Sequence, residues 1–453
     1  MITLRDEELP EEQHRSKTLA QVCTSVGMVA LLVYFITFSP FSDLSDQSLL
    51  SESVGNEVLV YLFVFCLVGI GATCLYLRQL AVAFLVQSTK YNFILLAWLC
   101  LTVVFSSDPG TSLRRLILTV CTFLIAAMLP WLVRGPRQFI NLLTVIAFLV
   151  LYLSYSGIML IPDLAIHHAS DVVEPDLAGN WRGIYGHKNV TAEVMAIFVF
   201  VGWLISRMQR PFIGALISIS AFVFLLFSGG KSAVGILFLV VIIAFTVVRA
   251  ETLWVRAIAA FAPLLVLAFL TVGSVISDFA RSILEHFPVD PTFTGRADVW
   301  RFAIEKLSAR PITGYGFEAF WHSSEVLYGS EDPAEWAVSA HTSHNGYLDL
   351  ALTIGLPGLF LTLITFLVIP LYNFHHTIQV AANRSLAQFF LTIWLFLIYM
   401  SLFEAFILSR VDQMWFMFAI ATCGLNCTSK FIVSDDQSDT QPLQGSLSAD
   451  QSI

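Results

Sequence analysis

Long apolar runs constrain this chain more than any other feature. Stretches rich in Leu, Phe and Ile recur at about 19–39, 57–77, 91–106, 113–133, 138–161, 189–206, 211–228, 232–248, 252–276, 346–370, 386–406 and 411–429. Most reach the ~18 residues that a helix needs to cross a bilayer. The run at 91–106 is short and has to borrow from Ser88-Thr89-Lys90. Strands of a membrane barrel would alternate apolar and polar residues, which these runs do not. Of the 453 residues, 57% are hydrophobic and 13% charged, against about a quarter charged in a soluble domain. Mean hydropathy is +0.77. The expected fold is an all-α integral membrane protein of about twelve transmembrane helices.

Basic residues in the short loops set the orientation, because cytoplasmic loops are enriched in Lys and Arg. With the N-terminus inside, the inner loops carry Arg78 and Lys90, Arg134 and Arg137, Arg207 and Arg210, Arg249 and Arg256, and Arg384, while the first outer loop, 40–56, carries none. Both termini are then cytoplasmic. The chain divides into a cytoplasmic segment 1–18, a polytopic membrane domain 19–430 and an acidic tail 431–453. The first apolar run lacks a small-x-small cleavage site and reads as an uncleaved helix. From Ser434 the tail is rich in Ser, Gln and Asp with no basic residue, a composition expected to be disordered.

Two larger loops face outward, at about 162–188 and 277–343. In the second, Val299, Phe302, Ala303 and Leu307 recur at helical spacing. Pro311, Gly314 and Gly316 then end that helix. A small helical cap between helices 9 and 10 is expected on the outer face.

Several function classes fall away early. The net charge is −9 and no basic patch exists for a nucleic acid. The seven cysteines all lie in or beside apolar runs, so no disulfide framework is implied. Cys423 and Cys427 are four apart with no nearby His and read as packing residues.

The strongly polar residues at the outer surface are Arg182, His187, Lys188, Lys231, Arg296 and His344, with Glu193 and Glu404 inside apolar segments on the same side. Positive charge there runs against the positive-inside bias, and an anionic ligand would account for it. Lys231 ends Phe227-Ser228-Gly229-Gly230-Lys231-Ser232 between two spans. The glycines permit a tight turn that bares N–H groups at a helix start. A phosphate loop would need Gly where Leu225 stands, so that motif is absent. Lys231 is either a snorkelling lysine or an anion ligand, and its place at the positive helix end favours the anion. Arg296 follows Thr294-Gly295 at the start of the cap helix, and reads equally as a solvated arginine or a partner for an anion.

His344 opens the span at 346–370, with Thr342 or Ser343 as the expected N-cap. A helix N-terminus disfavours the imidazolium, leaving a neutral ring able to take a proton. The alternative is an interfacial histidine bonded to a backbone carbonyl. His341 is a weaker neighbour. Glu193 lies one turn into its span, where an ionisable residue is functional or paired, with Lys188 or His187 the expected partner. Zinc on His187 with His167 or His168 lacks ligand spacing. Glu404 and Arg410 read as a structural pair.

The segment from His344-Asn345 to Gly355-x-x-Gly358 resembles the signature of the O-antigen ligase and Wzy-type polysaccharide polymerase superfamily. Ser228–Ser232 resembles that superfamily's Ser-Arg-Gly-like motif, with Lys231 in the arginine's place. Gly295-Arg296 is similar to its periplasmic Gly-Arg. The stretch Leu95 to Leu132 is similar to its N-terminal half, and Gly186-His187-Lys188-Asn189 to its exopolysaccharide polymerase (ExoQ-like) branch. Lys for Arg keeps charge but loses the bidentate fork. The resemblance implies a substrate of undecaprenyl diphosphate carrying an oligosaccharide repeat. It implies that Lys231 and Arg296 bind the diphosphate with help from Arg182, and that His344 is the base. Asn345, His187, Lys188 and Glu193 are supporting candidates. No cofactor or metal is called for if the cations stabilise the leaving group. Expected partners are the bilayer, a chain-length regulator and export proteins, at the bacterial inner membrane. The alternatives are a ligase moving finished glycan to lipid A-core or protein, and a lipid-linked oligosaccharide flippase. A flippase would line a central cavity with charge, whereas the mid-span positions here are almost all apolar.

Overall fold

The computed structural model describes residues 10–45, 53–87, 89–172, 174–208, 210–286, 293, 295–321, 323, 342–433 and 441–442. Each of the expected apolar segments contains a helix. They are α1 (Pro10–Ile36), α2 (Ser53–Leu77), α3 (Lys90–Val104), α4 (Pro109–Leu132), α5 (Pro136–Leu160), α6 (Lys188–Met208), α7 (Pro211–Phe227), α8 (Lys231–Arg249) and α9 (Leu253–Leu270). The cap helix follows as α10 (Arg296–Ala309), then α11 (Gly346–Leu363), α12 (Ile369–Thr377), α13 (Arg384–Met400) and α14 (Gln413–Lys430). Among the described residues, nine helices are long and apolar enough to cross a membrane, and α3 and α7 are shorter apolar helices. The fold is an all-α multi-pass membrane bundle.

Burial separates the helices by depth. Nearly all of α13 and α14 is buried, as expected of helices that are apolar all round and central. Outer helices present large apolar side chains such as Leu59, Phe212, Ile242 and Leu265 on the surface. In water such a belt would aggregate, whereas in lipid it is solvated. Of the C-terminal tail, Phe431–Ile432 pairs antiparallel with Gln441–Pro442, and Phe431 packs edge-on against Trp131. Residues 434–440 and 443–453 lie outside the described residues.

The tenth apolar run is broken. Inside α11, Gly355 has φ +72 and ψ 171, far from helical. A side chain there would be strained, and its Cβ would strike the Ile312 carbonyl. The break frees backbone groups that the cap loop and α3 take up. Tyr315 N donates to Leu352 O at 3.0 Å, Gly316 N to Thr353 O at 2.9 Å, and the Trp98 indole to Ile354 O at 2.9 Å. Leu356 N donates back to Pro311 O at 2.8 Å. Gly358 admits Trp98, whose Nε1 would lie 2.7 Å from a Cβ at that position. The Gly-x-x-Gly spacing thus marks where the cap is stitched into the bundle. A second core of Val299, Trp300, Ala303, Tyr315, Phe320, Trp321, Leu348 and Leu352 fills the join. A π-helical turn, Ile364–Val368, then connects α11 to α12.

Gly355→Ala is therefore expected to destabilise the fold by on the order of 2–4 kcal/mol, through a forbidden φ and lost backbone bonds. A thermal melt of the detergent-purified variant checks this, and an unchanged midpoint would mean the break is not required.

Candidate active site

Where an apolar run predicts helix through residue 406, α13 stops at Met400 and residues 401–412 form an irregular loop. Polar side chains take its backbone carbonyls. Asn345 Nδ2 donates to Leu402 O at 2.9 Å, Arg296 NH1 to Phe403 O at 2.7 Å, and Thr119 Oγ1 to Leu408 O at 3.2 Å. Gly346 N donates to Ser401 O at 2.7 Å. Non-helical backbone near a membrane survives only where protein or a wet cavity satisfies it.

Glu404 sits on this loop, not inside a span, and it does not pair with Arg410. Its Oε1 accepts from Arg296 NH2 and Asn189 Nδ2, each at 2.8 Å, and its Oε2 lies 3.2 Å from His344 Nδ1. One carboxylate thus joins α6, the cap helix and the start of α11. Burial works against charge on Glu404, but the His344 hydrogen bond and the Arg296 guanidinium outweigh it and hold the carboxyl below its ordinary value. An ionised Glu404 can only accept, so His344 Nδ1 carries the proton and Nε2 is left as the basic nitrogen.

The N-cap of α11 is Asn345 rather than Thr342 or Ser343. Its Oδ1 accepts from Leu348 N at 3.0 Å. His344 precedes the helix with φ +52, so it stands outside the first turn and its Glu404 contact, not the dipole, sets its tautomer. The ring is 41% exposed, enough for a substrate to reach.

Lys231 is exposed at the start of α8 and has no side-chain partner among the described residues. Gly229, at φ +67, meets Asn180, and Gly230 meets Ala192 of α6; a Cβ at either position would collide. Lys188 Nζ reaches Gly229 O at 3.5 Å and lies within electrostatic range of both Lys231 and Arg296. The structure therefore gathers Lys188, Lys231, Arg296 and His344 around one rim.

Other expectations meet different surroundings. Arg182 is 1% exposed and donates to Tyr185 O at 3.2 Å and Ser42 O at 2.8 Å, tying the 162–188 loop to the segment after α1. It is not brought to the Glu404 cluster. His187 pairs with Glu174 at 2.7 Å, not with Glu193. That bond, more than the burial opposing it, holds the Glu174 carboxyl below its usual range. Glu193 is 4% exposed, its Oε1 has no partner among the described residues, and its charged neighbours are Glu404, Asp412 and Arg296 rather than Lys188. His167 has both ring nitrogens engaged, Nδ1 with Asp171 at 2.9 Å and Nε2 accepting from Lys188 N at 3.2 Å. It has no nitrogen left for zinc. Among the described residues no group of three or more metal-ligating side chains converges.

Beside this rim lies a cavity of about 230 Å³ lined by Arg115, Glu318, Trp321, Asp349 and Arg410 among others. Glu318 Oε1 accepts from Arg410 N at 3.2 Å, and its carbonyl accepts from Arg115 NH1. Burial pushes the Glu318 carboxyl up to about 7, although Arg410 and Arg115 pull the other way. The sequence marked Arg410 only as a partner for Glu404 and Arg115 only within a family-like stretch, and it gave no signal for Glu318 or Trp321. Asp349 had the one usable signal, a carboxylate one turn into a membrane helix, the same signal that drew attention to Glu193.

The helix bundle thus carries a cation-rich rim and a histidine held by a carboxylate. Residues 215–363 match the family model described as O-antigen ligase. The match takes in Lys231, Arg296 and the whole of His344 to Gly358. Over that stretch the chain is similar to the O-antigen ligase family, which supports a multi-pass membrane protein related to O-antigen ligases and Wzy-type polymerases. No curated protein matches it.

Two outcomes are expected from this geometry. Glu404→Gln should lower transfer by about 100-fold or more, as loss of an orienting carboxylate does, read by single-turnover transfer at matched protein level. Wild-type rates in that variant would remove the Glu404–His344 pair from the chemistry. The second concerns pH. With a folded value near 7 against an ordinary 4.5, Glu318 favours the fold below about 4.5 and loses that contribution as pH rises through 7. Glu318→Gln should therefore melt higher than wild type at pH 8, by up to about 3 kcal/mol, and match it at pH 4.

Proposed function

We propose that the protein polymerises undecaprenyl-diphosphate-linked oligosaccharide repeats into exopolysaccharide, by inverting glycosyl transfer at the periplasmic face of the inner membrane. The observation that carries this reading is the carboxylate of Glu404, shared between His344 and Arg296. His344 Nε2 takes the proton of the acceptor hydroxyl. That oxygen bonds the anomeric carbon of the donor as the bond from the same carbon to the phosphate oxygen breaks. The electron pair leaves on the diphosphate, whose growing charge Lys231 and Arg296 stabilise, with Lys188 nearby. Arg296 uses two of its N–H donors on Phe403 and Glu404, which leaves others for phosphate oxygens. Attack opposite the leaving group inverts the centre with no covalent enzyme intermediate and calls for no metal. Arg182 helps only by shaping the loop that precedes α6. Asn345 and Asn189 hold His344 and Glu404 in place.

A ligase that moves finished glycan to lipid A-core or protein would use the same rim. The segment Gly186-His187-Lys188-Asn189 favours the polymerase, because it is the part of the chain that resembles the ExoQ-like branch.

Deleting the gene and sizing the glycan on the lipid carrier by mass spectrometry separates the two. Single repeats stranded on the carrier support the polymerase, and long polymer stranded there supports the ligase. In the purified protein, His344→Ala should abolish product without changing membrane level. Lys231→Ala and Arg296→Ala should each raise the donor KM or lower turnover at least about tenfold, and Lys231→Arg should be tolerated. Full-length polymer from His344→Ala would end the general-base role.

A further inference from the structure

The cavity beside the rim belongs to none of the roles assigned so far. Its walls come from α4 (Arg115), the cap loop (Glu318 and Trp321), α11 (Asp349) and the 401–412 loop (Ala405 and Arg410). The candidate diphosphate ligands come from other elements, α6, α8 and the first residue of the cap helix. Yet the cavity adjoins the reacting end. Thr342 and Gly346, which bracket His344 in the chain, both line it, and so does Ala405, which follows Glu404. Asp349 is within electrostatic reach of both His344 and Glu318.

The lining chemistry differs from that of the rim. Two arginines face two carboxylates, so no excess positive charge draws a phosphate. Glu318 uses one carboxylate oxygen on Arg410 N. Trp321 contributes an aromatic wall, and its indole N–H fixes Asp349 Oδ1 at 2.8 Å. The same oxygen accepts from Ser343 N at 2.9 Å, tying the cavity wall to the residue before His344. Fixed acceptors, guanidinium donors and an aromatic surface around a space of about 230 Å³ suit one polyhydroxylated ring.

Resting on the glycosyl-transfer reading above, we infer that this cavity is the acceptor subsite, holding the non-reducing-end sugar whose hydroxyl is presented to His344. Glu318 and Arg410 bind ring hydroxyls, Trp321 supplies the apolar face, and Asp349 positions Trp321 and the Ser343–His344 backbone.

The test uses the full-length protein in nanodiscs. The probe is the lipid-free oligosaccharide released by mild acid from the carrier that accumulates in the deletion strain. Direct binding is measured by isothermal titration, and acceptor and donor KM by initial rates. Glu318→Gln and Trp321→Ala should weaken oligosaccharide binding at least tenfold and raise the acceptor KM to match, with the donor KM unchanged. Ala405→Phe, which fills the cavity from a half-buried loop position, should do the same without removing any polar partner. It guards against variants that fail to fold. Undiminished oligosaccharide binding in Ala405→Phe and Glu318→Gln would overturn the subsite, as would a change confined to the donor KM. Wild-type protein that binds the oligosaccharide through these residues but transfers no sugar would sink the polymerase reading and leave the subsite standing.

Discussion

A single carboxylate with three donors organises the candidate site of this protein. Glu404 receives Arg296 from the cap, Asn189 from α6 and His344 from the mouth of α11. These donors stand far apart in the chain, at positions 189, 296 and 344. Remove the carboxylate and a guanidinium, an amide and an imidazole are left facing one another in a partly buried space, with two like charges once the imidazole protonates. Interactions of this kind are strong because both sides are charged and shielded from water. They are also exclusive, since the oxygen atoms that orient His344 are those that hold Arg296 in register.

The chain's apolar pattern is a good guide to its helices because lipid leaves so few alternatives. Backbone groups in hydrocarbon must bond within the segment, so a long apolar run is almost forced to be a helix. The same logic explains where that guide fails. Residues 401–408 are mostly apolar but not helical, because Asn345, Arg296 and Thr119 satisfy carbonyls that a helix would otherwise have satisfied. Nothing local to Ser401–Leu408 announces those partners, which lie about 50 to 290 positions away along the chain.

The site residues divide in the same way. His344, Arg296 and Lys231 stand out in sequence because the topology expected from the basic loops puts them on the side where Lys and Arg are scarce. Glu404 stands out too, but its partners do not, and proximity in sequence pointed to Arg410. Asn345 illustrates a smaller slip. Thr342 and Ser343 are good capping residues by type, yet the cap falls to the asparagine because the Ser343 hydroxyl is turned onto the backbone of Asn345, donating to its carbonyl and accepting from its N–H. Propensity ranks candidates, and tertiary contacts choose among them. The role of the cavity residues was hidden for a different reason. Arg115 and Glu318 come from parts of the chain about 200 residues apart, and neither has a local pattern that distinguishes it from an ordinary surface charge.

The stitched break at Gly355 has a consequence for how such proteins can be altered or diversify. The cap loop is not an ornament resting on a finished bundle, because the backbone of Tyr315 and Gly316 completes the hydrogen bonding of a membrane helix. Excising the cap would strand the carbonyls of Leu352 and Thr353 at a depth where each orphan group costs several kcal/mol. Cap and helix therefore form one inheritable unit. A relative can vary the cap's surface freely, but it can exchange the cap as a cassette only together with the helix that receives it.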